Sequence, residues 1–272
     1  PKRFYLLFCE IVTSRGWMKM EEDIVDYTLD YAKGKKVEYA EVRAQSQVQE
    51  RLILRSGILE TYLSAVDSGF CVRVIANGGI GFASTNKWTK EEAKEIVDLA
   101  FKYAKATNRK EKIRFVEEKS VETKWTVNQK EKIENVSPEE KISEFAEIHK
   151  SLASCGVNIA ATITACSTDL TSKYYVNSEG SRISSFVPKI AAFVFITVAE
   201  QGKTEQAYEQ FGYSGGWEAF HEWNATEKMV HNAKVLKDVI TKGKAVKPGI
   251  MDLVCGSEVT GIAAHESCGH PM

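Results

Sequence analysis

Two histidines and a glutamate lie within six positions near residue 270, and these residue types can bind and use a metal ion. His265, Glu266 and His270 form the pattern His-Glu-x-x-x-His. Neutral imidazole nitrogens suit zinc, and a carboxylate beside the first histidine is placed to take a proton from a water that the zinc activates. The pattern therefore predicts His265 and His270 as metal ligands, Zn²⁺ as the cofactor and Glu266 as the general base.

The two histidines are one residue further apart than in the related motif whose histidines share one helix face. On a regular α-helix, a separation of five positions turns two side chains apart by roughly 140°, so His265 and His270 would not converge on one ion. A wide, π-type turn would rotate His270 back, and such turns are frequent at functional sites. Gly269 would allow that departure from α-helical geometry. A metal site shared by the two histidines would therefore need a wide turn or an unwound helix end at the motif.

Other interpretations of the motif stay open. Catalytic zinc usually has three protein ligands, and only two are evident here. Cys268 would share the face of His265 on a regular helix and is an alternative ligand, although a helical cysteine more commonly packs as a small apolar residue. A further interpretation is that the helix simply carries two histidines with ordinary hydrogen bonds. His221 and His231 have no ligand spacing to anything nearby, and we predict that both are surface residues.

Composition excludes several classes of protein. The 36 basic and 37 acidic residues of the 272-residue chain nearly cancel, which argues against a broad nucleic-acid interface. The six cysteines form no CxxC pair, which favours the reducing cytoplasm. The apolar run 4–9 is interrupted by Glu10 and is too short to span a membrane. Residues 1–19 are predicted to be an upstream extension, with translation starting at Met18 or Met20.

The periodicity of the remaining chain predicts an α+β fold, with helices packed on antiparallel hairpins rather than alternating βαβ units. Thr89 and Ser137 are predicted helix N-caps, and residues 107–137 are expected to cross between two lobes. Predicted helices cover 20–33, 90–105, 138–153, 223–242 and a last one that Ser257 caps. Predicted strands cover 38–45, 49–55, 58–62, 69–75, 80–85, 157–167, 172–177, 181–187, 189–201 and 250–255, the last of them buried.

These elements divide the chain into segments. Residues 20–110 form an N-terminal α+β lobe, residues 111–225 a middle strand-rich segment, and residues 226–272 the start of a domain that contains the metal motif. Residues 212–217 are rich in glycine and are predicted to be a mobile loop.

Four stretches of the sequence resemble the TldD/PmbA family of zinc metallopeptidases, some members of which are called modulators of DNA gyrase. They are Arg55-Ser56-Gly57-Ile58-Leu59-Glu60, residues 69–85, Val176-Asn177-Ser178-Glu179-Gly180 and the terminal motif from His265 to His270. They follow the order and spacing of the family over about residues 20–272. The terminal motif is the specific one, whereas the other three are persuasive only together.

The resemblance implies that His265 and His270 correspond to the family's metal ligands and Glu266 to its catalytic glutamate. The resemblance also implies that the family's third metal ligand is a cysteine in a C-terminal β-rich domain. That domain is expected to be missing from this chain. The resemblance further implies hydrolysis of small or unfolded peptides. It also implies a homodimer or a heterodimer with a PmbA/TldE-like subunit, which itself lacks the motif, so this chain would be the catalytic partner. No membrane or nucleic-acid partner is expected.

Three functions remain in competition at this point. The first is a zinc-dependent peptidase, incomplete in this chain. The second is a non-catalytic binding or assembly subunit, or an inactive remnant, whose histidines bind metal weakly or not at all. The third is hydrolysis of another amide or an ester by the same zinc water.

Overall fold

A computed structural model describes residues 21–107, 111–116 and 118–272. The predicted upstream extension, residues 1–19, lies outside the described residues. The helices are α1 Glu22–Gly34, α2 Lys90–Ala106, α3 Pro138–Ala153, α4 Glu218–Glu222, α5 Ala225–Lys242 and α6 Ser257–Ala264, with a short 3₁₀ turn at Ile133–Asn135 and a π-helix at His265–Gly269. The strands are β1 Tyr39–Arg55, β2 Ile58–Ala76, β3 Gly79–Thr85, β4 Glu122–Thr126, β5 Ile159–Asn177, β6 Arg182–Glu200 and β7 Lys203–Tyr213. The predicted α+β class is confirmed.

The seven strands form one sheet in the order β3-β2-β1-β5-β6-β4, with β7 also paired to β6. β4 runs parallel to residues 182–186 of β6, and β7 runs antiparallel to residues 190–200 of the same strand. β4 and β7 therefore share one edge of β6. The sequence predicted neither strand, because β4 lies in the charged segment 107–137 and part of β7 lies in the predicted loop 212–217.

Four strands are 17 to 19 residues long and run through positions where the sequence predicted breaks. The sequence predicted a break in β1 because Gln45, Gln47 and Gln49 are polar. In the structure the strand pairs with both β2 and β5 along this stretch. Pro188 lies inside β6, where it pairs with Leu170 of β5. Its missing N–H falls between the part of β6 that β4 covers and the part that β7 covers, so no ladder bond is lost there.

All helices that pack on the sheet cover the same face. One hydrophobic cluster joins α1 and α2 to the sheet through Val42 and Ala44, and a second joins α3 and α5 to it through Leu52 and Leu54. These β1 residues are all at even positions and so point to one side. Within the described part of the chain no helix packs on the opposite side, which we call the open face. The division of the chain at residues 110 and 225 stays a prediction.

The predicted N-caps form as expected. The Thr89 hydroxyl accepts a hydrogen bond of 3.2 Å from the Glu92 N–H, and the Ser137 hydroxyl accepts one of 3.2 Å from the Glu140 N–H.

Replacing Thr89 by alanine is expected to lower the free energy of unfolding by about 1 kcal/mol, because one N–H of the first turn of α2 loses its acceptor. Urea unfolding measures this loss. Thr89→Ser keeps the hydroxyl and should lose much less; equal losses in both variants would contradict the capping role.

Candidate metal centre

The segment that leads into the metal motif differs from the prediction. Residues 250–255 were predicted to be a buried strand, but they are exposed and form no strand. The prediction was wrong because an apolar run becomes a strand only where a neighbouring strand satisfies its backbone groups, and no described strand lies beside it. Ser257 does not cap α6 either. Gly256 occupies the cap position, and its carbonyl accepts a 3.0 Å hydrogen bond from the Thr260 N–H.

The wide turn that a shared metal site would need is present at the motif. Residues His265–Gly269 form a π-helix that continues directly from α6. Its hydrogen bond joins the His270 N–H to the His265 carbonyl at 3.1 Å, a separation of five residues instead of four. The wider turn brings the two histidines onto the same side of the helix.

Gly269 is not what forces the π-turn. Its φ is not among the positive values of the chain, and a Cβ added there would meet Nδ1 of His265 at 3.6 Å, an ordinary van der Waals contact. The turn therefore does not depend on the conformational freedom of glycine.

The π-turn gathers the three predicted site residues. The ring centres of His265 and His270 are 4.5 Å apart, with an angle of 73° between the rings. One ligand atom from each of His265, Glu266 and His270 lies within 4.8 Å of the other two, and Nε2 of His270 is 3.9 Å from Oε2 of Glu266. Two imidazole nitrogens on one tetrahedral zinc are about 3.3 Å apart. Small side-chain rotations would close this difference, so the donor set fits a metal ion.

The motif is open to solvent. The side chains of His270 and Glu266 are 65% and 63% exposed, and His265 is exposed as well. In the described ranges of the chain no other histidine, cysteine, aspartate or glutamate joins the group, and Cys268 is not a member of it. With Glu266 as the general base, these residues supply two imidazole ligands, one fewer than the three protein ligands usual for catalytic zinc.

The other two histidines considered from the sequence, His221 and His231, are exposed, as predicted. Nε2 of His221 lies 3.6 Å from the Glu131 carboxylate and 3.9 Å from the Glu144 carboxylate. The pKa of Glu144 is raised, mainly by burial. None of the helices within the described ranges has the length and apolar character needed to cross a membrane.

The sequence interpretation missed a second polar cluster, on the open face of the sheet. It is centred on Glu41, whose carboxylate faces Arg43 on the same strand and Arg73 on β2. Its sequence signal is the Glu41-x-Arg43 spacing in a strand, because residues two apart point to the same face. That signal is weak, since charged residues at alternate positions usually mark a solvated face.

Two domains of one protein family match this chain. Residues 40–104 match domain 1 of the PmbA/TldA metallopeptidases, and residues 131–237 match the central domain of the same family. Together the two matches cover more than half of the chain. The chain belongs to the PmbA/TldD family, which confirms the resemblance found in the sequence. The His265 to His270 motif lies beyond both matched ranges.

Individual relatives support the same assignment. A metalloprotease of Methanothermobacter thermautotrophicus is 25% identical over 236 residues, which cover 86% of this chain and 50% of the relative. A metalloprotease TldD homolog of Buchnera aphidicola is 20% identical over 261 residues, which cover 93% of this chain and 53% of the relative. The chain thus spans about half the length of the curated relatives it matches.

Solved structures share the fold. A protein from Bacteroides thetaiotaomicron, described as a candidate modulator of DNA gyrase, superimposes with a TM-score of 0.65 at 16% identity, over 80% of this chain and 50% of the other. TldE from Thermococcus kodakarensis superimposes with a TM-score of 0.61 at 12% identity, over 78% of this chain and 47% of the TldE chain. At such identities the likeness concerns the fold, and the α+β architecture with a long-stranded sheet is that of these proteins.

Proposed function

We propose that this protein is a TldD-like zinc metallopeptidase that hydrolyses small or unfolded peptides. In this proposal His265 and His270 bind the metal and Glu266 is the general base. The observation that carries it is the π-turn, which brings two imidazoles and a carboxylate together at a spacing that a regular helix would separate. The metalloprotease relatives support the same reaction class.

A bound metal ion would supply Lewis-acid polarisation of the scissile carbonyl and a lowered pKa of the attacking water. His265 and His270 must present neutral nitrogens to hold such an ion, which makes binding weaker at acidic pH. Glu266 takes the proton from the attacking water and delivers it to the leaving amine. Its Oε2 lies 3.9 Å from Nε2 of His270, close enough to reach a water held beside the histidines.

The exposure of the motif bears on its assembly. A site that excludes water strengthens electrostatic catalysis, and here the three side chains are exposed to solvent within the described chain. We therefore propose that further protein covers them in the working enzyme and completes the ligand set, within a homodimer or a heterodimer with a TldE-like subunit. The TldE fold in the structural comparison supports the second arrangement. We place this assembly in the cytoplasm, in accord with the unpaired cysteines.

Zinc binding tests the metal site. Equilibrium dialysis of the chain against zinc is expected to load one ion per chain, and His265→Ala should weaken that binding by at least about tenfold, since one of two imidazole ligands is lost. Cys268→Ala changes a side chain in the same turn that lies outside the ligand group, so it is the matched control and should bind as the unsubstituted chain does. Equal zinc affinity in His265→Ala and the unsubstituted chain would overturn the assignment.

A second candidate function is a non-catalytic binding or assembly subunit. It is favoured by the small ligand set, two exposed imidazoles and one carboxylate, and by the similarity of the fold to TldE. Zinc separates the two proposals. Absence of zinc from the chain at saturating concentration would favour the binding subunit, whereas stoichiometric zinc with peptide hydrolysis would favour the enzyme.

A further inference from the structure

The open face of the sheet contains a cavity that the proposed peptidase site does not use. Its volume is about 950 Å³, within the range of about 300–1,000 Å³ that is typical of small-molecule sites. Strands β1 to β6 all contribute to its walls, and no residue of α6 or of the π-helix does. The side chains that matter for its chemistry are Arg43, Asp67, Trp125, Lys173, Tyr175 and Ser185.

A buried carboxylate beside the cavity holds its arginine in place. The Glu41 side chain is 6% exposed, and its Oε1 forms ion pairs of 3.4 Å with Nε of Arg43 and with Nη1 of Arg73. Its Oε2 accepts hydrogen bonds from the hydroxyls of Tyr39, at 2.8 Å, and of Tyr175, at 3.3 Å. Burial raises the pKa of Tyr39, so its hydroxyl stays protonated and continues to donate. The Glu41 charge is thus fully compensated, and the guanidinium of Arg43 is fixed from one side.

The other side of Arg43 is available to a ligand. Its side chain is 57% exposed, Glu41 is its only ion-pair partner among the described residues, and its guanidinium carbon lies 5.5 Å from the centre of the Tyr175 ring. Stacking on a tyrosine and anchoring through one edge leave the remaining N–H groups oriented, so that less conformational entropy is lost on binding an anion.

Strand register places a second cation and a second aromatic ring in one row next to Arg43. Across the sheet, Trp125 pairs with Ser185, Ser185 with Lys173, and Lys173 with Gln45. Neighbouring strands are about 4.8 Å apart, so Trp125 and Lys173 are separated by roughly 10 Å on the same face. Lys173 is exposed and has no ion-pair partner within residues 21–107, 111–116 and 118–272. Two cations, Arg43 and Lys173, therefore face one acid, Asp67, in the walls of the cavity.

We propose that this cavity binds a carboxylate that has an aromatic ring next to it. The carboxylate lies between Arg43 and Lys173, where a planar guanidinium and an ammonium both donate to it. The ring packs on Trp125 and Tyr175, which border the same space. The carboxylate belongs either to the C-terminus of a peptide or to an acidic side chain, since both offer the same two oxygens. This binding site does not depend on the metal motif or on peptide hydrolysis.

Three probes separate the sources of the carboxylate. They are N-acetyl-alanyl-phenylalanine, which has a free C-terminal carboxylate, its C-terminal amide, which is neutral, and N-acetyl-glutamyl-phenylalanine amide, which has only a side-chain carboxylate. Calorimetric titration is expected to show binding of at least one of the two acids and at least about tenfold weaker binding of the neutral amide, because a charged hydrogen-bonding group is lost. Titrating the Glu266→Gln variant in parallel prevents hydrolysis of the probes and keeps this test separate from that of the proposed peptidase.

Variants assign the binding to the cavity. Arg43→Gln is expected to weaken binding of the acid about tenfold, and Lys173→Gln about threefold, as for an exposed charge pair. Lys189→Gln is the control variant, because Lys189 on β6 is exposed, like Lys173 on β5, but lies outside the cavity. It should leave binding unchanged. Since Lys173 has no ion-pair partner among the described residues, its variant tests the proposal even if Arg43→Gln disturbs the Glu41 cluster.

The proposal is overturned by any of three results. They are no binding of either acid, equal affinity for an acid and the neutral amide, and an unchanged affinity in Lys173→Gln. Trp125→Phe gives an independent readout, because tryptophan fluorescence should change on binding in the unsubstituted chain and much less in this variant. Trp88 contacts Ser68 and Phe70 at the same cavity and can contribute a small residual signal. A fluorescence change of undiminished size in Trp125→Phe would contradict the proposed position of the ring.

Discussion

Glu266→Gln is expected to abolish peptide hydrolysis while leaving zinc binding intact. The substitution keeps the size of the side chain but removes the carboxylate that accepts the proton of the attacking water. Loss of this general base is expected to lower the rate about 10²–10⁴-fold. His265 and His270, which hold the metal in the proposal, are unchanged. The measurement is the rate of cleavage of an unstructured peptide by zinc-loaded protein, together with zinc content by mass spectrometry.

The matched control is Glu258→Gln, which changes an exposed glutamate in the first turn of the same helix. It should cleave as the unsubstituted chain does. Loss of zinc in Glu266→Gln would show that Glu266 is a metal ligand, which its place in the ligand group also permits. Undiminished cleavage in this variant, measured in the same assembly in which the unsubstituted chain cleaves, would contradict the proposed role of Glu266.

Glu50→Leu is expected to lower the free energy of unfolding by about 3–5 kcal/mol, because it leaves a buried ammonium without its counter-ion. The Lys141 side chain on α3 is 3% exposed and forms a close ion pair with Glu50 on β1. Its ammonium also lies 5.6 Å from the centre of the buried Trp217 ring. The Glu50 carboxylate in addition accepts hydrogen bonds from the hydroxyls of Tyr62, at 2.7 Å, and Thr168, at 3.3 Å.

Lys141→Met should cost less, about 1–3 kcal/mol, because Glu50 is 21% exposed and keeps two hydroxyl donors. The double variant Glu50→Leu/Lys141→Met should recover most of the loss of Glu50→Leu, since no charge is then buried unpaired. Urea unfolding of the four proteins gives the coupling energy of the pair. Strictly additive losses would contradict the paired arrangement.

The control for this cycle is a glutamate in an exposed ion pair. Glu60 on β2 pairs with Arg55 on β1 at 3.3 Å, and both side chains are about half exposed. Glu60→Leu should change the free energy of unfolding by less than about 1 kcal/mol, because solvent screens the pair. A loss as large as that of Glu50→Leu would show that burial is not what makes the Lys141 pair important.

Local signals in the sequence predicted several elements of the fold correctly. The capped helices at Thr89 and Ser137, the Asn77-Gly78 hairpin and the turn after Asn177 appear at the predicted positions. Each depends on residues only a few positions apart, where side-chain chemistry and backbone geometry are coupled directly. The π-turn belongs to the same class, since the spacing of His265 and His270 by itself indicated that a regular helix would not bring them together.

Long-range pairing accounts for what the sequence did not reveal. β4 has no strong alternating pattern, and its partner β6 lies far away in sequence. β7 is the exception, since it follows β6 directly in a hairpin and escaped prediction because most of its residues are polar. The apolar run 250–255 shows the converse, since its composition is that of a strand but the described chain offers it no neighbour. Strand propensity therefore depends on its context in the sheet.

The sequence by itself determined the family, the α+β class and the capped helices, and it supplied the three residues of the proposed metal site, because these are properties of composition and short spacing. Only the tertiary structure decided that the strands are continuous, that the helices cover one face of the sheet, that Lys141 meets Glu50, and that Arg43, Lys173 and Trp125 border one cavity. The residues around the cavity are brought together by strand register, and Lys141 meets Glu50 because α3 packs on the sheet. A shift of one residue would turn every side chain of a strand to the other face.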